Sequence, residues 1–313
     1  MVLTEILGFA VASLVMIKAG ALAVKSITAI GKNLHLGHFV LSFLLVGIVS
    51  ALPEGSISII SAFQGITNLG FGTLIGSVVV DLTLVIGLVA IVARKTKMTK
   101  GLTYELWIFA LMSLLFALGI DGSLSRIDGG ILLGGCIFFF YNLAKTNHIM
   151  EKVVHSDKRH LAKQLGIFVT SAAVVFISAD FAVKFSTSFA ETIGVPLVVV
   201  GTIILAIATS LPEAVFAITA ASKRLAEVAI GELFGVIMID GAFLIGVVAL
   251  IHPIVLPVAE FATLAVFVLT AVALVTYFIR SDRMLTWKEG VFLIFFYIFF
   301  VVSQFSSAHL IPT

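Results

Sequence analysis

Two Leu-Pro-Glu triplets, Leu52-Pro53-Glu54 and Leu211-Pro212-Glu213, each lie inside an apolar stretch long enough to cross a bilayer. Twenty-seven residues after each glutamate a lone aspartate follows in the next apolar stretch, Asp81 and Asp240, so both acidic pairs recur after the same 159 residues. In lipid every backbone polar group must be satisfied internally, and apolar stretches of this length meet that demand as helices, so the chain reads as a duplicated bundle of helices. Composition agrees: 60% of the 313 residues are hydrophobic and 12% charged, against roughly 25% charged in soluble domains. No long polar stretch leaves room for a separate soluble domain, and the single cysteine, Cys136, rules out an intrachain disulfide.

Cutting the chain where charge, Gly, Pro and Asn cluster yields ten apolar segments of membrane-spanning length: 2–24, 38–64, 72–94, 103–120, 128–145, 164–186, 196–221, 227–252, 256–279 and 288–308. Basic residues fall in alternate connections, with only Arg126 and Lys184 near the other face and Lys18 inside the first span. The positive-inside rule then puts both termini outside the cytoplasm. Ala23-Val24-Lys25 recurs as Ala182-Val183-Lys184, and Ile86-Gly87 as Ile245-Gly246. Five spans per half is an odd number, so the second copy enters the membrane from the opposite side. The expected fold is an all-α polytopic membrane protein of ten transmembrane helices in two inverted five-helix repeats. The repeats are 1–148 and 164–313, joined by a cytoplasmic link at 149–163.

Proline lacks an N–H and its ring displaces the preceding turn, so Pro53 and Pro212 should interrupt their helices near the bilayer centre. The freed carbonyls persist only where protein or a water-filled cavity surrounds them. Beside them stand Ser50, Thr209, Ser210, Glu54 and Glu213, hard oxygen ligands suited to sodium or calcium. Asp81 and Asp240 fall near the middle of the third and eighth spans, where an ionised carboxylate costs about 3 kcal/mol or more without partners. Four such carboxylates sharing one cavity repel one another, so a divalent ion, monovalent ions or protons must neutralise them. A single Leu-Pro-Glu could be an ordinary proline kink; its duplication beside paired acids is what points to a site. Ser77 joins the candidates, although hydroxyls also bond helix carbonyls. Glu232, eight residues before Asp240, lies on roughly the same helical face nearer the cytoplasm, where it either lines an access path or sits among headgroups.

Ala206-Ile207-Ala208-Thr209-Ser210-Leu211-Pro212-Glu213, with Gly235 and Asp240 following, resembles the second signature repeat of the calcium/cation antiporters, which include the prokaryotic sodium/calcium exchangers. Gly47-Ile48-Val49-Ser50-Ala51-Leu52-Pro53-Glu54, with Gly76-Ser77 and Asp81, is similar to the first. The resemblance implies that Glu54 and Glu213 are central calcium ligands, assisted by Thr209 and by backbone oxygen around Gly47 and Ala206. It also implies an outer sodium site of Ser77, Thr209, Ser210 and Glu213. The chain departs from the pattern where Ser50-Ala51 replaces Thr-Ser, Gly235-Val236-Ile237 replaces Gly-Ser-Asn, Asp81 replaces asparagine, and Glu232 replaces the asparagine of a Gly-Asn pair. These changes remove neutral sodium ligands and add protonatable groups.

The expected function is export of calcium in exchange for sodium, by alternating access at a midplane carboxylate site in the cell membrane. The alternatives are a proton-coupled antiporter of calcium or another divalent ion, and, in a different class, a passive cation channel. No enzyme is expected: Asp81 and Asp240 lack the sequence context of intramembrane aspartyl proteases. The expected partners are the lipid bilayer, calcium and a monovalent counter-ion, Na+ or H+, with no nucleic acid and no cofactor.

Overall fold

The computed structural model describes residues 2–33, 47–97, 104–146, 158–282 and 284–308. Residues 38–46 of the second expected span and 149–157 of the link lie outside the described residues, whereas 158–163 form the first turns of a long helix. In chain order the helices are α1 (Val2–Asn33), α2 (Gly47–Ser50), α3 (Leu52–Phe63), α4 (Thr67–Val79), α5 (Ile86–Ala93), α6 (Tyr104–Leu118), α7 (Arg126–Thr146) and α8 (Lys158–Ile193). Then follow α9 (Leu197–Val199), α10 (Ala206–Thr209), α11 (Leu211–Ser222), α12 (Ala226–Met238), α13 (Ile245–Ile251), α14 (Val258–Asp282) and α15 (Trp287–Ala308). Three wider π turns, Val80–Val85, Val200–Leu205 and Ile239–Leu244, join α4 to α5, α9 to α10 and α12 to α13.

Among the described residues the elements are helical, apart from two short antiparallel strand pairs at helix ends. β1 (Lys95–Lys97) pairs with β4 (Met284–Thr286), and β2 (Ser123–Leu124) with β3 (Ile254–Val255). Six helices among the described residues are long and apolar enough to cross a membrane, and the bent pair Leu197–Thr209 and Leu211–Ser222 makes a seventh. The described parts of the other expected segments are helical but shorter, interrupted or less apolar.

The internal duplication is visible in the element bounds. α3 and α11, α4 and α12, and the π turns at Val80 and Ile239 all start and end 159 residues apart. Packing repeats as well: Gly87 lies against Gly290, and Gly246 against Gly129. The central rods, Thr67–Ala93 and Ala226–Ile251, have 78% of their most apolar window inside the fold, against 33% for Leu3–Gly31 and Arg159–Ile193. The first two are therefore the core, and α1 with α8 forms a peripheral pair whose remaining apolar face suits lipid. The two core rods run antiparallel. The Thr67 hydroxyl at the start of α4 donates to the Pro253 carbonyl just past α13 (3.4 Å), while the end of α5 shares a cavity with the start of α12.

Candidate functional site

Each Leu-Pro-Glu triplet begins a helix rather than interrupting one at its own position. The chain turns at Ala51 (φ −73°, ψ 5°) and Ser210 (φ −75°, ψ 1°), and the prolines occupy the first turns of α3 and α11. Proline suits that place because its missing N–H is one that a helix start leaves unpaired anyway. By the same chemistry Pro53 cannot donate to the Val49 carbonyl, nor Pro212 to that of Ala208. The bend between Leu197–Thr209 and Leu211–Ser222 is 44°.

The carboxylates follow directly. Glu54 (1% exposed) and Glu213 (1%) sit in the first turns of α3 and α11, whose helix dipoles favour negative charge there. Asp81 (1%) and Asp240 (0%) fall inside the two π turns of the core rods. These four expected residues come together as one electrostatic cluster. Asp81 feels the charge of Glu54, Glu213 that of Glu54 and Asp81, and Asp240 that of Glu54 and Asp81. Glu232, also buried, belongs to the same cluster: both Asp81 and Glu213 feel its charge.

The hydroxyls knit the two halves. Ser77 of α4 lies 3.4 Å from the Thr209 hydroxyl of α10, and Thr209 faces Glu54. Ser210 lies beside Asp81, although neither closes a hydrogen bond of ordinary geometry. Residues 159 positions away tell a different story: Ser77 corresponds to Val236, Ser210 to Ala51 and Thr209 to Ser50. Only Ser50 of that second set is polar, and its hydroxyl donates to the Gly47 carbonyl (3.1 Å). One side of the site is thus hydroxyl-rich, and the other keeps only Ser50 of the corresponding hydroxyls. The Gly47 and Ala206 carbonyls expected as ligands each accept a backbone bond, from Ala51 (3.2 Å) and Ser210 (3.0 Å), so with the Ser50 and Thr209 hydroxyls both are already doubly bonded and must exchange a partner to reach a cation. Ala206 also accepts from Thr209 (3.3 Å).

What distinguishes the cluster is its unsatisfied oxygen. Both oxygens of Asp81, Glu213 and Asp240, one each of Glu54 and Glu232, and the Ser210 hydroxyl are buried without a hydrogen-bond partner among the described residues. Buried polar groups are normally paired, and an uncompensated buried charge costs several kcal/mol. Cations, protons or water must complete these groups. No three His, Cys, Asp or Glu side chains among the described residues converge closely enough to hold a metal ion by themselves. Binding a cation here must therefore draw the carboxylates together or use hydroxyl, carbonyl and water oxygen as well.

Glu5 and Glu260 are also buried, apart from the cluster, and neither was singled out from the sequence. Glu5 of α1 accepts hydrogen bonds from Ser188 (2.7 Å) and Thr192 (3.3 Å) of α8. Two hydroxyls four residues apart share one helix face, a pattern that an acid within an apolar span could have flagged. Lys18 is exposed, away from the cluster.

Unpartnered carboxylates gathered at paired helix breaks are an arrangement in which secondary transporters hold ions within the bilayer. The model of the sodium/calcium exchanger protein family matches residues 4–145 and 163–306, and the chain belongs to that family. Membership of an exchanger family makes it a transporter, not an enzyme. The sodium/calcium exchanger MaX1 of Methanosarcina acetivorans is 26% identical over 336 residues, covering 93% of this chain and 95% of that one. The inner membrane protein YrbG of Escherichia coli is 26% identical over 226 residues, 68% and 70% of the two chains. Among solved structures, the H+/Ca2+ exchanger CAX superposes with a TM-score of 0.81 at 15% identity, covering 99% of this chain and 82% of that one. The sodium-calcium exchanger NCX_Mj superposes at 0.70 and 22% identity, covering 97% and 99%. At these identities the two structures show a common fold.

Proposed function

We propose that this protein is a secondary-active antiporter of ten spans, arranged as two inverted five-helix repeats, that exports calcium in exchange for sodium by alternating access. The observation that carries the proposal is the set of buried carboxylates without partners, two at the Leu-Pro-Glu breaks and two in the π turns facing them. Glu54 and Glu213 bind the divalent ion, with Thr209 and the carbonyls near Gly47 and Ala206 assisting. Ser77 and Ser210 supply neutral oxygen for the counter-ion, and Asp81 and Asp240 set the charge of the site.

The antiparallel course of the core rods and the equal spacing of their elements support inversion, since an inverted repeat must cross the membrane in opposite senses. Arg94 and Arg224, from connections expected in the cytoplasm, line one cavity, which agrees with both termini lying outside. Family membership supports antiport over a passive channel.

One observation favours a proton as the coupling ion instead. Val236 stands where Ser77 stands in the other half, and Glu232 adds a fifth carboxylate, so a sodium ligand is lost where a protonatable group is gained. Calcium-45 uptake into proteoliposomes, with a sodium gradient and separately a pH gradient, decides between them. Uptake that needs no counter-gradient would refute antiport in either form.

A further inference from the structure

Among the described residues, the two that are not glycine yet have positive φ are both arginines, Arg94 (φ 60°) and Arg224 (φ 63°). Side chains avoid this backbone region, and such positions persist where the surroundings enforce them, often at functional sites. Arg224 corresponds, 159 residues on, to Gly65 (φ 73°), the residue type this turn favours. The second half therefore carries a guanidinium where the first carries none. Arg94 ends α5, Arg224 follows the end of α11, and these two helices pack against each other.

Both arginines line a cavity of about 460 Å3 together with Lys95, Thr96, Ala226 and Glu227. Thr96 is 7% exposed, and its hydroxyl has no partner among the described residues. α12 starts at this cavity with no side-chain cap from Leu225, so its first backbone N–H groups, at Ala226 and Glu227, lack intrahelical acceptors. Glu227, the one acid of the lining, sits in the first turn of α12, where the helix dipole favours it. Two guanidinium groups, an ammonium, a buried hydroxyl and an open helix start select a compact anion with several oxygens.

We infer that this cavity binds a phosphate group, at a site separate from the carboxylate cluster. It spans both halves of the molecule, with Arg94 at the cap of α5, Lys95 from β1 and Arg224 from the turn between α11 and α12. A bound phosphate holds α5 against α11, the helix that opens with Pro212 and Glu213. Its source is either a phospholipid headgroup at the membrane surface or free phosphate.

The test follows thermal unfolding of the full-length protein in two arms, each against R224G. Glycine suits φ 63°, so this variant keeps the fold while losing one cation. In the first arm, inorganic phosphate is added to protein in detergent, with sodium chloride at matched ionic strength as control. In the second, protein is placed in vesicles of phosphatidylcholine alone or mixed with phosphatidylglycerol. The unfolding midpoint of the wild type should rise in at least one arm, and R224G should weaken the apparent affinity about tenfold or more. A rise with inorganic phosphate assigns a free anion; a rise confined to the mixed vesicles assigns a headgroup. No specific rise in either arm, or an equal rise in R224G, overturns the proposal.

Discussion

Gly76 lies where α4 crosses the π turn that leads to Thr209, and replacing it with alanine tests how closely the halves must meet. A Cβ at Gly76 would stand 2.6 Å from the Thr202 Cα and 2.6 Å from the Ala206 Cβ, and nearer still to the Thr202 carbonyl oxygen. Carbon atoms meet favourably from about 3.5 Å, so the two segments must part by roughly 1 Å. Such overpacking costs about 1–3 kcal/mol, and the upper part of that range applies because backbone is the obstacle. Alanine's better helix propensity returns about 1 kcal/mol. The net loss of about 2 kcal/mol should lower the unfolding midpoint by roughly 5 °C. The same displacement lengthens the Ser77–Thr209 contact, already 3.4 Å, beyond hydrogen-bonding distance. Calcium uptake should therefore fall more steeply than stability. Gly231→Ala in α12 is the matched control: nothing lies within 4 Å of its Cβ position, so propensity alone acts and stability should hold or rise. Wild-type stability and uptake in Gly76→Ala would refute the close-approach argument.

Three further outcomes follow from the same geometry. Ser77→Ala and Thr209→Val should be non-additive in calcium affinity by about 0.5–1.5 kcal/mol, measured in a double-mutant cycle, because the two hydroxyls meet across the halves. Glu5→Leu removes the acceptor of Ser188 and Thr192 and should lower stability by about 1–3 kcal/mol in detergent unfolding; unchanged stability would show that these two hydrogen bonds add nothing to the α1–α8 contact. Glu232→Gln should depress uptake driven by a pH gradient more than uptake driven by sodium; equal loss in both would remove Glu232 from proton coupling.

Much of the site was legible because duplication preserves spacing. The acids Glu54, Asp81, Glu213 and Asp240 stood out as charges within apolar spans, and the folded chain gathers them. The π turns around Asp81 and Asp240 were not legible, since widening one helical turn leaves no mark on hydrophobic pattern. The turns at Ala51 and Ser210 lie just before the prolines because proline tolerates a helix start better than a helix interior. Burial of Glu5 against Ser188 and Thr192 depends on which face of α1 meets α8, which local sequence does not encode. The unequal hydroxyls, Ser77 and Ser210 against Val236 and Ala51, were readable singly; their meaning as two unlike sides of one site required the fold.

Calcium is proposed to bind at the unpartnered carboxylates of the helix breaks. Equilibrium calcium-45 binding to the purified protein tests it most directly, comparing the wild type with Glu54→Gln and Glu213→Gln. Each substitution keeps size and removes one charge, so saturable binding should be lost in both while folding is retained. Wild-type calcium affinity in either well-folded variant would contradict the account.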